Sequence, residues 1–462
     1  SVRVLPPTAR QAREEDLEAN PLFRAAPALR GKMAWRQLGA FPTPVQRFSC
    51  ACAAEAAGPA DFWVKREDLS SSKYGGNKVR SLQYTLGSFE AYVEACQAGR
   101  GASRTPRLLT FGSGGSNQVV ATKVHSHSIG IPSAAVEGYC PMPDEPELDN
   151  TLNYLSALSL PGSQSIYGQG FGAIWRALYP RRCDDAPRPW VMGPGGLCTP
   201  GVLGQAGGAL ELAEQIARGE LPDPDGIVLA MGSTCTTAGL ALGVAIARKL
   251  GMPAFRQPGF RIYGQPVHPA PMYMQKLFGA LKSETMPMAI GRSMRDAAAQ
   301  LAALGGPDVT KEAMAVLRSD VVISVDAAIT GKYGAHSKTS RAAKEAYDRT
   351  ADGPDGAPAM WLCGHFSAKS FALLLKLLRE DDAAGRPRRR LVFWQTKSAV
   401  QPRGNSDEWQ ALVDQCRKAS GLRKWLVVGG ATGHPAKIGE PESAMVPAAG
   451  PDDYRGLMTT VL

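Results

Sequence analysis

An α/β architecture with largely parallel sheets is predicted by three observations on the sequence. Short apolar runs alternate with longer helix-period segments. Two of those runs pass through glycine-rich turns directly into helices. A length of 462 residues, with 44% hydrophobic and 20% charged residues, is ample for buried cores with an ordinary globular balance.

In chain order, residues 62–64 (FWV) read as a strand, as do 107–111 (RLLTF). The second leads through GSGGSN into the helical QVVATKVHSHS. Residues 131–137 (IPSAAVE) follow as another strand. Residues 227–231 (IVLAM) run into GSTCTTAG and then LALGVAIARKL, a strand–turn–helix unit. Residues 260–264, 321–325 and 391–395 complete the expected strands. The stretches 141–147, 180–195 and 350–358 read as surface excursions. From about residue 429 the chain is rich in Gly, Pro and Ala; an ordered arm and a loose tail both remain open.

Composition narrows the function classes. The formal charge is +10, yet its densest cluster is Arg386, Arg388, Arg389 and Arg390, just after Glu380, Asp381 and Asp382 and just before the apolar LVFW. That reads as a solvated loop before a buried strand, not a nucleic-acid surface. No apolar run approaches the roughly 20 residues of a membrane span. The opening residues lack an apolar leader and soon turn acidic, so a cytoplasmic protein is expected. Nine cysteines without a CxxC pair fit buried thiols in a reducing compartment. His125 and His127, two apart on an expected helix, point to different faces, so no metal site is expected.

Three segments carry chemistry. KREDLSSSKYGGNKVR, from Lys65 to Arg80, ends a strand in charge and then delivers Gly75, Gly76, Asn77 and Lys78. Paired glycines turn the backbone tightly and leave room for a planar ring. A lysine that condenses with a carbonyl must spend part of its time neutral beside it. Alone, GGNK is a weak match that reads far more readily as an exposed lysine. GSTCTTAG (232–239) presents backbone N–H groups at the start of a helix, with hydroxyls on Thr234, Thr236 and Thr237; it suits a phosphate or serves as a plain cap. GSGGSNQ (112–118) is a similar turn, at which Ser116 and Asn117 hold a carboxylate or Ser116 merely caps the helix.

In this order these segments resemble the family of pyridoxal-phosphate (PLP) enzymes joining D-cysteine desulfhydrase and 1-aminocyclopropane-1-carboxylate (ACC) deaminase. The likeness is carried by FPTPVQRF (41–48), WVKREDL (63–69), GGNKVRSLQY (75–84), GSGGSNQ (112–118), DNTLNYL (149–155), GPGGLCTPGVLG (193–204), GSTCTTAGL (232–240), GKYGAHS (331–337), LCGHFSAKSF (362–371) and LVFWQTKSA (391–399). It implies two three-layer α/β/α domains with PLP in the cleft: a small substrate-side domain over 85–215, and a large cofactor-binding one from 1–84 plus 216–462.

The resemblance also implies roles. Lys78 is the Schiff-base lysine, with Asn77 beside the cofactor. Gly232, Ser233, Thr234, Cys235, Thr236 and Thr237 surround the phosphate. Ser116, Asn117 and Gln118 lie at the substrate carboxylate and the cofactor hydroxyl. Tyr333 is an active-site tyrosine, and Phe366 lies at the substrate. Ser367 and Thr396 meet the cofactor ring, Ser367 at its pyridine nitrogen. A homodimer is implied as well.

Two departures stand out. Phe366-Ser367 replaces the Tyr-Glu pair of ACC deaminases, removing a hydroxyl and a carboxylate. Gln395-Thr396-Lys397-Ser398 replaces His-Thr-Gly-Gly or His-Leu-Gly-Gly. A serine at the ring nitrogen gives a weaker electron sink than a carboxylate, which favours expulsion of a good leaving group over ring opening. The expected reaction is α,β-elimination on a small amino acid, D-cysteine desulfhydrase-like, giving pyruvate, ammonia and sulfide. Lys78 takes the Cα proton, while Ser116 and Tyr333 orient substrate or move protons. ACC deamination, β-replacement and racemisation are the alternatives on the same scaffold, and an inactive binding protein is the alternative outside it.

Overall fold

The computed structural model describes residues 4–9, 11, 17–51, 58–100, 106–112, 115–139, 153, 156–157, 160, 164–166, 188–268, 285–355, 359–403 and 458–461. The 141–147 excursion, the first half of the 180–195 tract and nearly all of the segment from 429 lie outside the described residues.

The strands are β1 (Val45–Ala51), β2 (Pro59–Lys65), β3 (Leu108–Phe111), β4 (Val136–Tyr139), β5 (Gln164–Ile166), β6 (Trp190–Val191), β7 (Gly226–Met231), β8 (Arg261–Pro266), β9 (Val321–Ile323) and β10 (Leu391–Trp394), with β11 (Val400–Arg403) and β12 (Met458–Val461) forming a separate pair. The principal helices are α1 (Lys78–Arg100), α2 (Asn117–Ser128), α3 (Thr199–Ala217), α4 (Cys235–Lys249), α5 (Thr285–Ala303), α6 (Thr310–Ser319), α7 (Lys338–Thr350) and α8 (Ser367–Ala383).

Two sheets result. A six-stranded sheet runs β1-β2-β10-β7-β8-β9, and a four-stranded sheet runs β5-β4-β3-β6. Every pairing in them is parallel except that of β1 with β2. The edge strand β1 was not among the expected strands, whereas β2 contains the expected 62–64. The 131–137 expectation is corrected: residues 133–135 form a short 3-10 turn after Pro132, and the strand begins at Val136. Proline fixes φ and lacks the N–H a ladder needs.

Strand β7 shows why the larger sheet is covered on both faces. All six of its residues are buried. Ile227, Leu229 and Met231 join the core with α3 and α4, whereas Val228 joins that of α8 with Phe62, Val64 and Phe393. Period-two alternation into two apolar layers is what a central parallel strand requires. Helix α3 buries Val202, Leu203, Ala206 and Leu210 in the same core as α4, against the larger sheet. A second core joins Leu82, Leu86 and Phe89 of α1 to Leu108, Val120, Val124 and Val136 around the smaller sheet. The basic cluster is spent on local pairing: Arg388 with Asp382, Arg389 with Asp381 and Arg390 with Asp225.

Candidate active site

Parallel sheets open crevices at the carboxyl ends of their strands. Here the ends of β3 and β7 face one cavity of about 260 Å³. Its wall includes Lys78 and Asn77, the 116–118 segment opening α2, the 232–237 turn opening α4, and His268, Tyr333, Phe366 and Thr396.

Lys78 reaches this space because the backbone before it is pinned. Gly76 holds φ +107 and bridges to Lys397 across an isolated antiparallel contact; a Cβ there would come within 2.7 Å of the Thr396 carbonyl oxygen. Only glycine fits such a position without strain. Asn77 is then held on three sides. Its N–H donates to Thr396 O (3.3 Å), its Nδ2 donates to Thr236 Oγ1 (2.7 Å), and its carbonyl accepts from Gln205 Nε2 (2.6 Å). Lys78 follows as the first residue of α1, with Nζ donating to Gly195 O at 2.9 Å. Burial holds the Lys78 amine below its ordinary pKa, with Cys235 opposing.

Gly195 faces the amine closely. Its φ is +63, and a Cβ built on it would lie 2.4 Å from Ser233 Oγ and 3.7 Å from Lys78 Nζ.

The 232–237 turn forms a cradle. Thr234 adopts a left-handed conformation (φ +69) at the start of α4, aiming free N–H groups of the first turn outward. Thr234 Oγ1 and Thr237 Oγ1 are buried and lack a hydrogen-bond partner among the described residues. Two orphaned hydroxyls at a helix N-terminus form a donor set for an anion.

On the opposite wall, Ser116 occupies the N-cap position of α2 yet makes no capping hydrogen bond. Asn117 Oδ1 accepts from Tyr74 Oη (3.1 Å) and from Asn153 Nδ2 (2.7 Å). Gln118 donates to Thr122 Oγ1 at 3.1 Å. Tyr333 stands edge-on to His365 (5.1 Å between centroids), His268 (6.1 Å) and Phe366 (6.4 Å).

Of the sequence-predicted residues, Lys78, Asn77, Ser116, Asn117, Gln118, Gly232, Ser233, Thr234, Cys235, Thr236, Thr237, Tyr333, Phe366 and Thr396 share this cavity. Ser367 does not reach its wall. Its hydroxyl turns back at the start of α8, donating to Trp361 O (2.9 Å) and accepting from Cys363 N–H (2.8 Å). Short hydroxyl side chains at helix starts bond the local backbone in this way. Thr396 is the predicted hydroxyl residue that lines the cavity from that side of the chain.

Sequence reasoning missed His268. It follows β8 by two residues, at the carboxyl end of a parallel strand, which is the signal that could have found it. Burial, reinforced by Lys369, lowers its pKa below the ordinary histidine value. Lys369 in turn donates to Val267 O (3.0 Å) and Lys332 O (2.6 Å), the carbonyls immediately before His268 and Tyr333. Burial pushes the Lys369 amine down to about 8, against the opposing influence of Cys363.

Comparison with known proteins bears on this cavity. The family model "Pyridoxal-phosphate dependent enzyme" matches residues 37–328. Among curated proteins, the chain is 32% identical over 200 residues to the nocardicin C-9' epimerase of Nocardia uniformis subsp. tsuyamanensis, covering 42% of this chain and 55% of that one. It is 29% identical over 202 residues to the D-cysteine desulfhydrase of Salmonella paratyphi C, covering 40% and 53%. The chain thus spans about half the length of the curated relatives it matches. A crystal structure of an ACC deaminase homologue superposes with TM-score 0.55 at 22% identity, covering 82% of this chain and 94% of that one, which establishes likeness of fold. No helix among the described residues is long and apolar enough to cross a membrane.

The residues present fit the family's cofactor, PLP. The orphaned threonine hydroxyls at the start of α4 suit its phosphate, and the Lys78 amine opens on the same space as a partner for its aldehyde. The chain belongs to the pyridoxal-phosphate dependent enzyme family.

Proposed function

We propose that this protein eliminates a β-substituent from a small amino acid, in the manner of a D-cysteine desulfhydrase, releasing pyruvate, ammonia and sulfide. One observation carries the reading: the Lys78 amine, lowered in basicity, opens on the same cavity as the unpartnered donors of the 232–237 cradle.

When bound, PLP supplies an electron sink that delocalises the charge left on Cα after proton loss. The chain's residues do the rest. Thr234, Thr236 and Thr237, with the N–H groups opening α4, hold the phosphate; Asn77 ties that cradle to Lys78 through Thr236. Lys78 Nζ, kept partly neutral by burial, accepts the Cα proton. Ser116, Asn117 and Gln118 hold the substrate carboxylate at the start of α2. Tyr333 and His268 are the proton-carrying groups on the leaving-group side, and Phe366 contributes an apolar wall that excludes water. Thr396 meets the cofactor ring with a hydroxyl, which keeps the electron sink mild and suits a good leaving group such as a thiolate.

Division into a substrate-side domain over 85–215 and a cofactor-binding remainder belongs to this proposal, although α3, nearly all of which that boundary gives to the substrate side, packs in the core of the larger sheet. So do a homodimer and a cytoplasmic location, the latter supported by nine scattered cysteines without a CxxC pair. Sedimentation of the purified protein tests the dimer.

Likeness to the nocardicin epimerase supports a second reading, in which the Cα proton is returned to the other face. Incubation with D-cysteine, L-cysteine, D-serine and ACC in deuterated water separates the two. Pyruvate and sulfide from D-cysteine, abolished by Lys78→Ala, is the expected result. Deuterium at Cα with inverted configuration and no pyruvate overturns elimination in favour of epimerisation.

A further inference from the structure

We infer that Lys397, which stands where the resembled enzymes carry glycine, is a positioning residue that forces Asn117 to present its amide nitrogen to an anionic oxygen in the cavity. The inference rests on the reading of the cavity as a PLP site.

The argument is one of hydrogen-bond polarity. As an ammonium, a lysine has three donors and no acceptor. Lys397 Nζ donates to Tyr74 Oη at 3.0 Å and to Asn153 Oδ1 at 2.9 Å, and lies over the rings of Trp361 (4.7 Å) and Tyr74 (5.0 Å). It is 1% exposed. Asn153 must therefore turn its oxygen to Lys397, which turns its Nδ2 to Gly115 O (3.0 Å) and to Asn117 (2.7 Å). The Gly115 carbonyl, an acceptor only, demands the same orientation. Tyr74 already accepts from Lys397, so its single proton is left to donate, and of its two acceptors Asn117 Oδ1 (3.1 Å) is nearer than Asn153 Oδ1 (3.5 Å). Both neighbours thus donate to the same oxygen of Asn117. No hydrogen bond joins its Nδ2 to another described residue, and Asn117 is one of the residues lining the cavity.

Every link is buried: Tyr74, Asn117, Asn153 and Lys397 are each less than a tenth exposed. The backbone of Lys397 pairs with Gly76, two residues before Lys78, so its segment is tied to the one that carries the reactive lysine. A glycine in its place would leave Tyr74 and Asn153 without the donor-only partner that sets the chain's direction.

The ligand chemistry is an anionic oxygen, from either the cofactor's ring hydroxyl or the amino acid's carboxylate. Two titrations distinguish these sources. Apoenzyme is titrated with PLP alone, and holoenzyme with D-alanine, which has no β-leaving group; both follow the visible absorbance band. Lys397→Gln can both donate and accept, so it frees Tyr74 to reverse. Weakening on the order of ten-fold is expected in the PLP titration if the ring oxygen is the ligand, and in the D-alanine titration if the carboxylate is. Lys397→Arg, donor-only, should restore most of the loss, and Tyr74→Phe should reproduce it. A residue that served packing alone would lower the melting temperature in Lys397→Gln and leave both titrations and the absorbance band unmoved in the folded protein. That result, or Lys397→Arg behaving like Lys397→Gln, overturns the inference. If wild-type apoenzyme shows no PLP uptake that depends on Lys78, it is the cofactor reading of the cavity that fails.

Discussion

Two sets of buried basic residues lie on either side of the start of α1, and they are neutralised in different ways. Beneath the larger sheet, Arg80 meets Glu67 at 2.6 Å and Glu211 at 2.7 Å, while Lys65 meets Glu211 at 2.5 Å. Thr43 and Gln215 complete the set. Toward the cavity, the bonds of Lys78, Lys369 and Lys397 go to neutral oxygens: Gly195 O, Val267 O and Lys332 O, and Tyr74 Oη and Asn153 Oδ1. Lys78 and Arg80 are two apart on one helix and so face different directions. Buried charge is tolerated when it is paired and hydrogen-bonded. The first set is closed on itself and holds the scaffold. The second lies beside a cavity whose wall, among the described residues, contains no Asp or Glu.

The largest effect that can break this comparison is Lys78→Ala. Turnover should fall by roughly 10³ to 10⁴-fold, since the variant loses both the carbonyl partner and the proton acceptor. Its melting temperature should hold or rise, because a desolvated amine without a carboxylate partner is removed. Steady-state kinetics and thermal unfolding on one preparation check both halves. Glu211→Gln is the counterpart. Leaving Lys65 and Arg80 short of a carboxylate in a buried cluster should cost about 3–5 kcal/mol of stability by urea unfolding. PLP affinity of the folded fraction should stay at the wild-type value. An unstable Lys78→Ala with full turnover, or a stable Glu211→Gln that cannot hold PLP, would reverse the roles assigned to the two sets.

What could be read from the sequence follows the same division. Both strand–turn–helix units, most of the parallel strands and the cradle threonines were legible, because glycine-rich turns between an apolar run and a helix leave a local pattern. Lys78 was legible through its context, Gly75-Gly76-Asn77. The closed ion cluster was not: Glu211 lies 131 residues from Arg80, and nothing local announces their meeting. The bonds of Ser367 to the backbone of Trp361 and Cys363 were not legible, because a helix-start hydroxyl chooses among local partners that only the fold sets out. His268 has no partner at motif spacing; only its station after β8 marks it. The departure at Lys397 was visible as a substitution, but its consequence needed the positions of Tyr74, Asn153 and Asn117.

Acidity sharpens the contrast on the cavity side. His125 is fully buried on α2, with Nε2 2.9 Å from Tyr74 O and Nδ1 without a partner among the described residues. Burial pushes its pKa down to about 4; the Tyr74 carbonyl opposes and Lys73 assists. The unfolded chain, titrating near the ordinary 6.5, binds a proton the folded state refuses between those values. Stability is therefore fully present above about 6.5 and drains away as pH falls toward 4. At ~1.4 kcal/mol per unit the loss is about 3 kcal/mol. Urea unfolding at a series of pH values checks it. His125→Gln, which keeps a donor for Tyr74 O and cannot be protonated, should flatten that limb.

The smallest effect concerns how the leaving-group side moves a proton. Phe366 has no hydroxyl; Tyr333 stands beside it at 6.4 Å between ring centroids, with His268 6.1 Å from Tyr333. If Tyr333 delivers the proton, Tyr333→Phe should lower turnover roughly ten- to hundred-fold, toward the lower end of what general acid–base groups contribute. The loss should be larger for a poor leaving group, as in D-serine, than for D-cysteine, whose thiolate needs little help. Phe366→Tyr should then recover part of the Tyr333→Phe loss, since it returns a hydroxyl to a neighbouring position on the wall. If His268 is the donor instead, Tyr333→Phe leaves the serine-to-cysteine ratio unchanged and His268→Asn moves it. Lys369 positions both segments through Val267 O and Lys332 O, so Lys369→Met should depress kcat whichever residue carries the proton. The ratio of the two substrates, measured across these variants, therefore separates the proton carrier from the residue that merely holds it in place.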